Sequence, residues 1–236
     1  MNRPLDILIF GAHADDAEIG MAGTIAKHTA AGYRVGLCDL TEAELSSNGN
    51  PALRKQEADA AAKALGLAAR LNLGLPDRGL TGSEEQIAAV TGVIRDFAPR
   101  LVFAPYWEDR HPDHIACSKL VEAAAFNAKL RRYMLDKPAV PVPELYFYFI
   151  NDWKTPDLVV DVSATYDLKE QALRCYRSQF EQTSGEDIAQ TPLNQGYVER
   201  VKARDSLIGQ RSLIPYAEGF MTKTAFPVHL FGSLRS

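Results

Sequence analysis

Between Ala12 and Gly20 the chain places one histidine, His13, and three carboxylates, Asp15, Asp16 and Glu18, within six residues, immediately after the apolar run Ile7-Leu8-Ile9-Phe10. Held together at the end of a buried strand, these groups repel one another unless a cation, a proton or solvent relieves them. A metal is the simplest relief. His13 and Asp16 are three apart at a strand-to-helix turn and can aim at one point. A catalytic zinc takes three protein ligands and keeps a position for water, so a third ligand is expected from another strand end. His114 is the candidate, in the second cluster His111-Pro112-Asp113-His114. Such an ion lowers the pKa of water from about 15.7 towards roughly 7 and polarises a carbonyl. Asp15, next to a ligand but not needed as one, is placed to accept the proton of that water.

Plainer readings compete. Asp15 and Glu18 also suit the first turn of a helix, where carboxylates favour the dipole, and Glu18 reads as such a residue. His111 and His114, three apart, resemble two ligands on one helical face, but Pro112 and the turn before it can separate their roles. Cys117 continues their spacing, yet reads as a small apolar helix residue rather than part of a His-His-Cys site. Three of the five histidines lie in the two clusters, which favours chemistry there; His28 and His229 read as ordinary helix and strand residues.

The two clusters need a fold that brings distant turns together. Residues 6–12 read as a strand and 17–31, alanine-rich with spaced apolar positions, as a helix ended by Gly32. A second strand over 34–40 leads into the polar loop 41–50, which can border a pocket. Pro51 opens a helix to about Leu65. Residues 69–73 read as a third strand, 75–79 as a loop, and 84–97 as a helix that stops before Pro99. A fourth strand, 100–105, delivers the chain to the second cluster, and a helix runs from Pro112 through Phe126. Beyond it, 145–150 and 158–162 read as strands, 167–177 as a helix, 179–192 as a polar loop and 197–210 as a helix. The stretch 216–234 reads as irregular with some strand character. Strands alternating with helices imply right-handed βαβ units. The expected fold is therefore α/β, a Rossmann-like, mostly parallel sheet flanked by helices, with residues 1–236 as a single domain. Ligands in such sheets bind at the carboxyl edge of the strands.

The remaining composition bounds the function. With 26 basic and 30 acidic residues and a net charge of −4, the chain has no run of one sign that would mark a nucleic-acid or membrane surface. A small soluble substrate is expected. Three scattered cysteines, Cys38, Cys117 and Cys175, suit neither a disulfide scaffold nor paired metal knuckles, and a reducing cytoplasm fits them. No signal peptide or membrane span is expected, because the first apolar run is short and ends in the polar cluster.

These residues resemble a known family, the zinc-dependent deacetylases of the LmbE-like or PIG-L group, which remove acetyl from N-acetylglucosaminyl compounds. Ala12, His13, Asp15, Asp16 and Glu18 match its Ala-His-Pro-Asp-Asp-x-Glu motif, and residues 111–114 match its His-Pro-Asp-His. Agreement continues through Leu40-Thr41, Arg54, Glu57, Ala61, Leu65-Gly66, Leu75-Pro76-Asp77-Arg78 and Tyr216-Ala217-Glu218. The branch it looks most like is that of the bacillithiol-pathway deacetylases, whose substrate is N-acetylglucosaminyl malate. The resemblance implies Zn2+ on His13, Asp16 and His114, Asp15 as base, and His111 as oxyanion stabiliser oriented by Asp113. It also implies that Arg54 and Arg110 face the substrate, where a guanidinium fork suits a malate carboxylate. The alternative for each arginine is an ion pair, Arg54 with Glu57 or Arg110 with Glu108. Tyr197 either assists at the oxyanion or is a buried helix tyrosine. A homo-oligomer, with a hexamer as the expected form, follows from the same resemblance. Two positions depart from the pattern: Ala14 replaces a proline, and Glu42-Ala43-Glu44 lacks the glycine usual before a glutamate.

The chemistry expected is hydrolysis of the acetamide of an N-acetylglucosamine conjugate. Rivals are a different N-acetyl sugar, a chitooligosaccharide or a thiol-conjugate amide. A His-Asp-His site also accommodates iron, cobalt or manganese. A nucleotide-binding Rossmann protein is disfavoured, because the turn after the first strand lacks the glycine triplet and its acids would repel phosphate. A catalytically silent binding or scaffold protein is disfavoured by the intact ligands and base.

Overall fold

A computed structural model describes residues 3–134, 136–141, 143–181 and 188–225. In chain order the elements are β1 (Ile7–Gly11), α1 (Asp16–Ala30), β2 (Val35–Thr41), α2 (Pro51–Ala64), β3 (Ala69–Leu75), α3 (Glu84–Phe97), β4 (Leu101–Pro105), α4 (Pro112–Asn127), β5 (Glu144–Tyr148), β6 (Leu158–Asp161), α5 (Tyr166–Arg174), α6 (Arg177–Phe180), α7 (Tyr197–Gln210) and β7 (Ala217–Met221). The seven strands form one sheet in the order β3-β2-β1-β4-β5-β7-β6. The first five run parallel. β7 enters antiparallel between β5 and β6. The expected α/β class and mostly parallel sheet are those observed.

Side chains of β1 alternate between two cores, as the strand period requires. Leu8 and Phe10 join Val90, Ile94 and Val121 of α3 and α4 on one face. Ile7 and Ile9 join Ile25, Leu173 and Val201 of α1, α5 and α7 on the other. β1 is buried at every residue, which is why its sequence is continuously apolar. Local signals set the helix starts. The Asn50 side chain accepts from the Leu53 N–H at 2.9 Å ahead of Pro51, and Ser83 accepts from the Gln86 N–H. Among the described residues no helix is long and apolar enough to cross a membrane.

Two features differ from the sequence expectations. α1 is broken at Met21, whose φ of −151° and ψ of 21° are not helical. The short helix α6 begins in the segment expected to join a helix to a polar loop, and residues 182–187 of that loop lie outside the described residues. The strand character expected in 216–234 is observed as β7, while 226–236, with His229, lie outside the described residues.

Gly20 lets α1 lie against β5. A Cβ there would sit 2.2 Å from Cδ2 of the fully buried Tyr148 ring and 2.9 Å from the Phe149 carbonyl oxygen, and neither can swing aside. Gly20→Ala is expected to destabilise the fold by about 1–3 kcal/mol, read as a lower urea midpoint with an unchanged slope.

Candidate metal centre and active-site cleft

β1 and β4 are sheet neighbours, and the connections from their carboxyl ends lead to opposite sides: β2 lies beyond β1 and β5 beyond β4. This is the switch point at which open α/β sheets hold ligands. The loop after β1 carries His13 and Asp15 into α1, whose first residue is Asp16; the loop after β4 carries Asp109, Arg110 and His111 into α4, which holds Asp113 and His114. The two sequence clusters therefore meet. Ring centroids are 4.9 Å apart for His13 and His111, 5.6 Å for His13 and His114, and 4.7 Å for His111 and His114.

The Asp16 carboxylate lies between two imidazoles, with Oδ1 3.1 Å from His114 Nε2 and Oδ2 3.7 Å from His13 Nδ1. Oδ2 also accepts from the His13 backbone N–H at 2.9 Å. Each imidazole has a carboxylate on its other nitrogen: Asp109 Oδ1 lies 3.0 Å from His114 Nδ1, and Asp77 Oδ1 lies 3.2 Å from His13 Nε2. Carboxylates placed this way hold a ligating imidazole in the right tautomer and orientation. Asp77 is itself anchored, its Oδ2 accepting from the Leu45 N–H and its N–H donating to Glu44 Oε1. Ala43, where the family pattern has glycine, lies at φ 52° in the same loop, the left-handed region that glycine adopts without strain. Burial opposes charge on all three groups, yet their mutual pairing wins. The His114 and His13 imidazoles hold Asp16 well below the usual carboxylate range; carboxylate contacts raise His13 and bring His114 up to about 9.

Two donor sets converge on His13: its nitrogens with those of His111 and His114, and with carboxylate oxygens of Asp77 and Asp113, each within 4.8 Å of one another. The hydrogen bonds separate these candidates. His111 caps α4, its Nδ1 accepting from the Asp113 N–H at 3.2 Å. A neutral imidazole accepting through Nδ1 carries its proton on Nε2, so His111 presents a donor, whereas His13 and His114 each set one nitrogen on an orienting carboxylate, Asp77 and Asp109, and turn the other toward Asp16, where a metal ion would take the place of the proton. Burial and the neighbouring imidazoles push the His111 pKa down, which favours that neutral form. The donor set of His13, Asp16 and His114, with oriented imidazoles, fits a divalent transition metal.

Asp15 holds φ at 119°, left-handed space that side chains rarely enter, and its carboxylate caps no helix N–H. Oδ2 instead accepts from Arg54 Nη1 at 3.2 Å. Burial raises its pKa to about 7, against the lowering pull of Arg54. Arg54 pairs with Asp15 and not with Glu57; it also donates to the Ala14 carbonyl at 2.7 Å and to Ser46 Oγ at 3.0 Å. Glu57 accepts from Ser178. Glu18 is buried behind the site and takes Arg70 and the Tyr176 hydroxyl. Arg110 is exposed at the cleft mouth and donates to Asn151 Oδ1 rather than pairing with Glu108, which binds Lys154. Tyr197, buried at the start of α7, donates its hydroxyl to the same Asn151 oxygen at 3.0 Å. Asp113 meets His111 through its backbone N–H alone, its carboxylate accepting from the Arg78 N–H and Nη1 and lying 3.5 Å from His13 Nε2. The resulting cleft, about 340 Å³, is lined by Asp15, Arg54, Arg110, His111, Asn151 and Tyr197, among others.

Sequence reasoning missed Asp109 as an imidazole partner and Asn151 as a cleft residue. Asp109 also accepts from the His111 N–H and from Asn151 through both its N–H and its side-chain amide. Its signal was available, since an acid lies five residues before a proposed histidine ligand, but Asp77 and Asn151 arrive from separate loops.

The chain is similar to known proteins in sequence and in fold. The profile of the PIG-L family, described as GlcNAc-PI de-N-acetylase, matches residues 8–125, half of the chain. A protein named as a probable N-acetyl-alpha-D-glucosaminyl L-malate deacetylase 2, from Bacillus subtilis, is 29% identical over 188 residues, covering 74% of this chain and 83% of that one. The crystal structure of the conserved protein TT1542 from Thermus thermophilus superposes with a TM-score of 0.87 at 38% identity, covering 95% of this chain and 98% of that one. That of the N,N'-diacetylchitobiose deacetylase from Pyrococcus horikoshii does so with a TM-score of 0.80 at 25% identity, covering 91% and 82%.

Removing the carboxylate behind His114 tests the centre. Asp109→Ala is expected to weaken zinc binding about 10- to 100-fold, measured by competition with a chromophoric chelator on protein whose circular dichroism matches wild type.

Proposed function

This chain belongs to the PIG-L/LmbE-like deacetylase family, and we propose on that premise that it is a zinc-dependent hydrolase of the acetamide of an N-acetylglucosaminyl conjugate, with N-acetylglucosaminyl malate, the precursor in bacillithiol biosynthesis, as its substrate. The observation that carries the reading is one cleft holding Asp15, raised to about 7, beside the His13–Asp16–His114 donors and the Nε2–H of His111. The malate conjugate is supported by the Bacillus subtilis relative and by an arginine at the cleft mouth, Arg110.

Zn2+ bound by His13, Asp16 and His114 would supply Lewis acidity to the acetamide carbonyl and make water acidic enough to attack near neutral pH. Asp15 accepts the proton of the attacking water; a carboxylate raised to about 7 is matched to that transfer at neutral pH. Arg54 holds the carboxylate in place. As the carbonyl carbon becomes tetrahedral, the His111 Nε2–H donates to the developing oxyanion, a preorganised donor whose loss in comparable sites costs about 100- to 1,000-fold. The proton held by Asp15 then passes to the departing amine nitrogen, giving acetate and a free glucosaminyl amine. Arg110, braced by Asn151, faces the carboxylate of the aglycone. Assembly as a homo-oligomer in the cytoplasm completes the reading, and light scattering on the purified chain checks the oligomer.

Acetate release is the test, from N-acetylglucosaminyl malate, N,N'-diacetylchitobiose and free N-acetylglucosamine, each with zinc and with a chelator. The malate conjugate is expected to turn over fastest and the chelator to abolish all activity; activity that survives the chelator refutes the metal mechanism. Asp15→Asn is expected to retain zinc and to lower kcat by about 10²- to 10⁴-fold. Arg110→Ala is expected to raise KM for the malate conjugate by about tenfold or more, the loss of one charge-assisted hydrogen bond, with KM for free N-acetylglucosamine unchanged.

A further inference from the structure

The break in α1 is spanned by a buried chain of four charges. In an unbroken helix the N–H groups of Gly23 and Thr24 would bond the carbonyls of Ile19 and Gly20. Here Gly23 N–H donates to Glu218 Oε1 at 3.0 Å and Thr24 N–H to Glu218 Oε2 at 2.7 Å. The Ile19 carbonyl released by the break accepts from Arg204 Nη2 at 2.8 Å. Lys169 and Asp205 join these ends. Arg204 Nε donates to Asp205 Oδ1 at 3.0 Å, Lys169 Nζ lies 2.7 Å from Asp205 Oδ2, and it donates to Glu218 Oε1 at 2.6 Å. The Lys169 and Asp205 side chains are wholly buried, and Glu218 is 1% exposed.

The signs match the broken helix. A cation sits on the carbonyl end of the first segment and a carboxylate on the N–H end of the second, as the dipoles of the two pieces require. One charge also reaches across the site. Arg204 Nη1 donates to the carbonyls of Ile150 at 2.8 Å and Phe149 at 3.2 Å. Ile150 precedes Asn151, which donates to Asp109, the carboxylate on His114. Ile19 lies in the first turn that Asp16 opens. A single guanidinium thus ties the segment bearing Asp16 to the segment that braces His114.

We propose that Arg204, anchored through Asp205, Lys169 and Glu218, is a positioning residue that sets the separation of the two halves of the metal centre. It touches none of the donors itself. Only the planar fork spans the Ile19 carbonyl, the Phe149 and Ile150 carbonyls and Asp205 at once; a lysine at this position keeps the charge as a point and loses the span. The Tyr216-Ala217-Glu218 stretch thereby has a task at a distance from the cleft. Glu218 holds the far side of the helix break.

This inference rests on the metal reading above, and Arg204→Lys tests it in the full-length protein. The expected result is zinc affinity lower by about 10- to 100-fold in chelator competition, with kcat reduced and KM for the malate conjugate near wild type. A lowered melting temperature with wild-type zinc affinity and kcat overturns the proposal and leaves the metal reading standing. If Arg204→Lys does not fold, Glu218→Gln, which alters only the far end of the chain, is read for the same zinc affinity, and a wild-type value overturns the proposal. Wild-type protein gives an independent check by hydrogen exchange. Zinc loading is expected to slow exchange of the Gly23 and Thr24 amides, because coupling between two sites is reciprocal; exchange unaffected by zinc overturns the proposal. A wild-type chain that takes up no zinc overturns the metal reading and this one with it.

Discussion

Asp16 has to keep its charge while 2% exposed, and much of the surrounding structure follows from that cost. An ionised carboxylate out of water is unfavourable by several kcal/mol unless it is paired and hydrogen-bonded. Two imidazoles and the His13 backbone N–H answer the demand. Each imidazole then needs an acceptor for its other nitrogen, and Asp109 and Asp77 provide them. Those carboxylates need donors in turn, which brings in Asn151, Leu45 and the His111 N–H. Polar groups are satisfied shell by shell until the network reaches the cleft mouth.

Asp15 and Asp16 are adjacent, yet their environments push them in opposite directions. Asp16 stands between imidazoles and stays low; burial raises Asp15 to about 7, with Arg54 as its one opposing guanidinium contact. Carboxylates whose environments push their pKa values apart in one site are suited to different tasks, which is the division between ligand and base proposed above. The left-handed backbone of Asp15 turns the chain between β1 and α1 so that the neighbours serve these different partners. His111 shows the same economy, because the hydrogen bond that caps α4 also leaves its other nitrogen a donor.

The fold was largely legible from residue patterns. β1 and β4 are short apolar runs bounded by polar turns, and α3 and α7 begin and end where the periodicity places them. The break in α1 was not legible, because no proline marks it and its partners are distant: Glu218, nearly two hundred residues away, takes the Gly23 and Thr24 N–H groups, and Gly20 lies close against Tyr148. The insertion of β7 between β5 and β6 was hidden for a related reason. Strand order depends on which edge has unpaired backbone groups, and no residue of Ala217–Met221 announces its neighbours. Arg54 and Arg110 were both assigned ion pairs as alternatives from their nearest acids, whereas the structure gives them Asp15 and Asn151.

Residue type and spacing by themselves determined the kind of chemistry, since histidine and aspartate at the ends of apolar strands carry their donors and charges wherever the chain goes. They also determined that two clusters, close to a hundred residues apart, belonged to the same edge of a parallel sheet. Tertiary structure alone decided which partner each histidine nitrogen meets, because those partners arrive from separate loops. It alone decided that Asp15 is raised while Asp16 is lowered, because a pKa depends on burial and neighbouring charge. The distance between the halves of the centre likewise belongs to the fold, where Arg204 joins carbonyls that lie far apart in the chain.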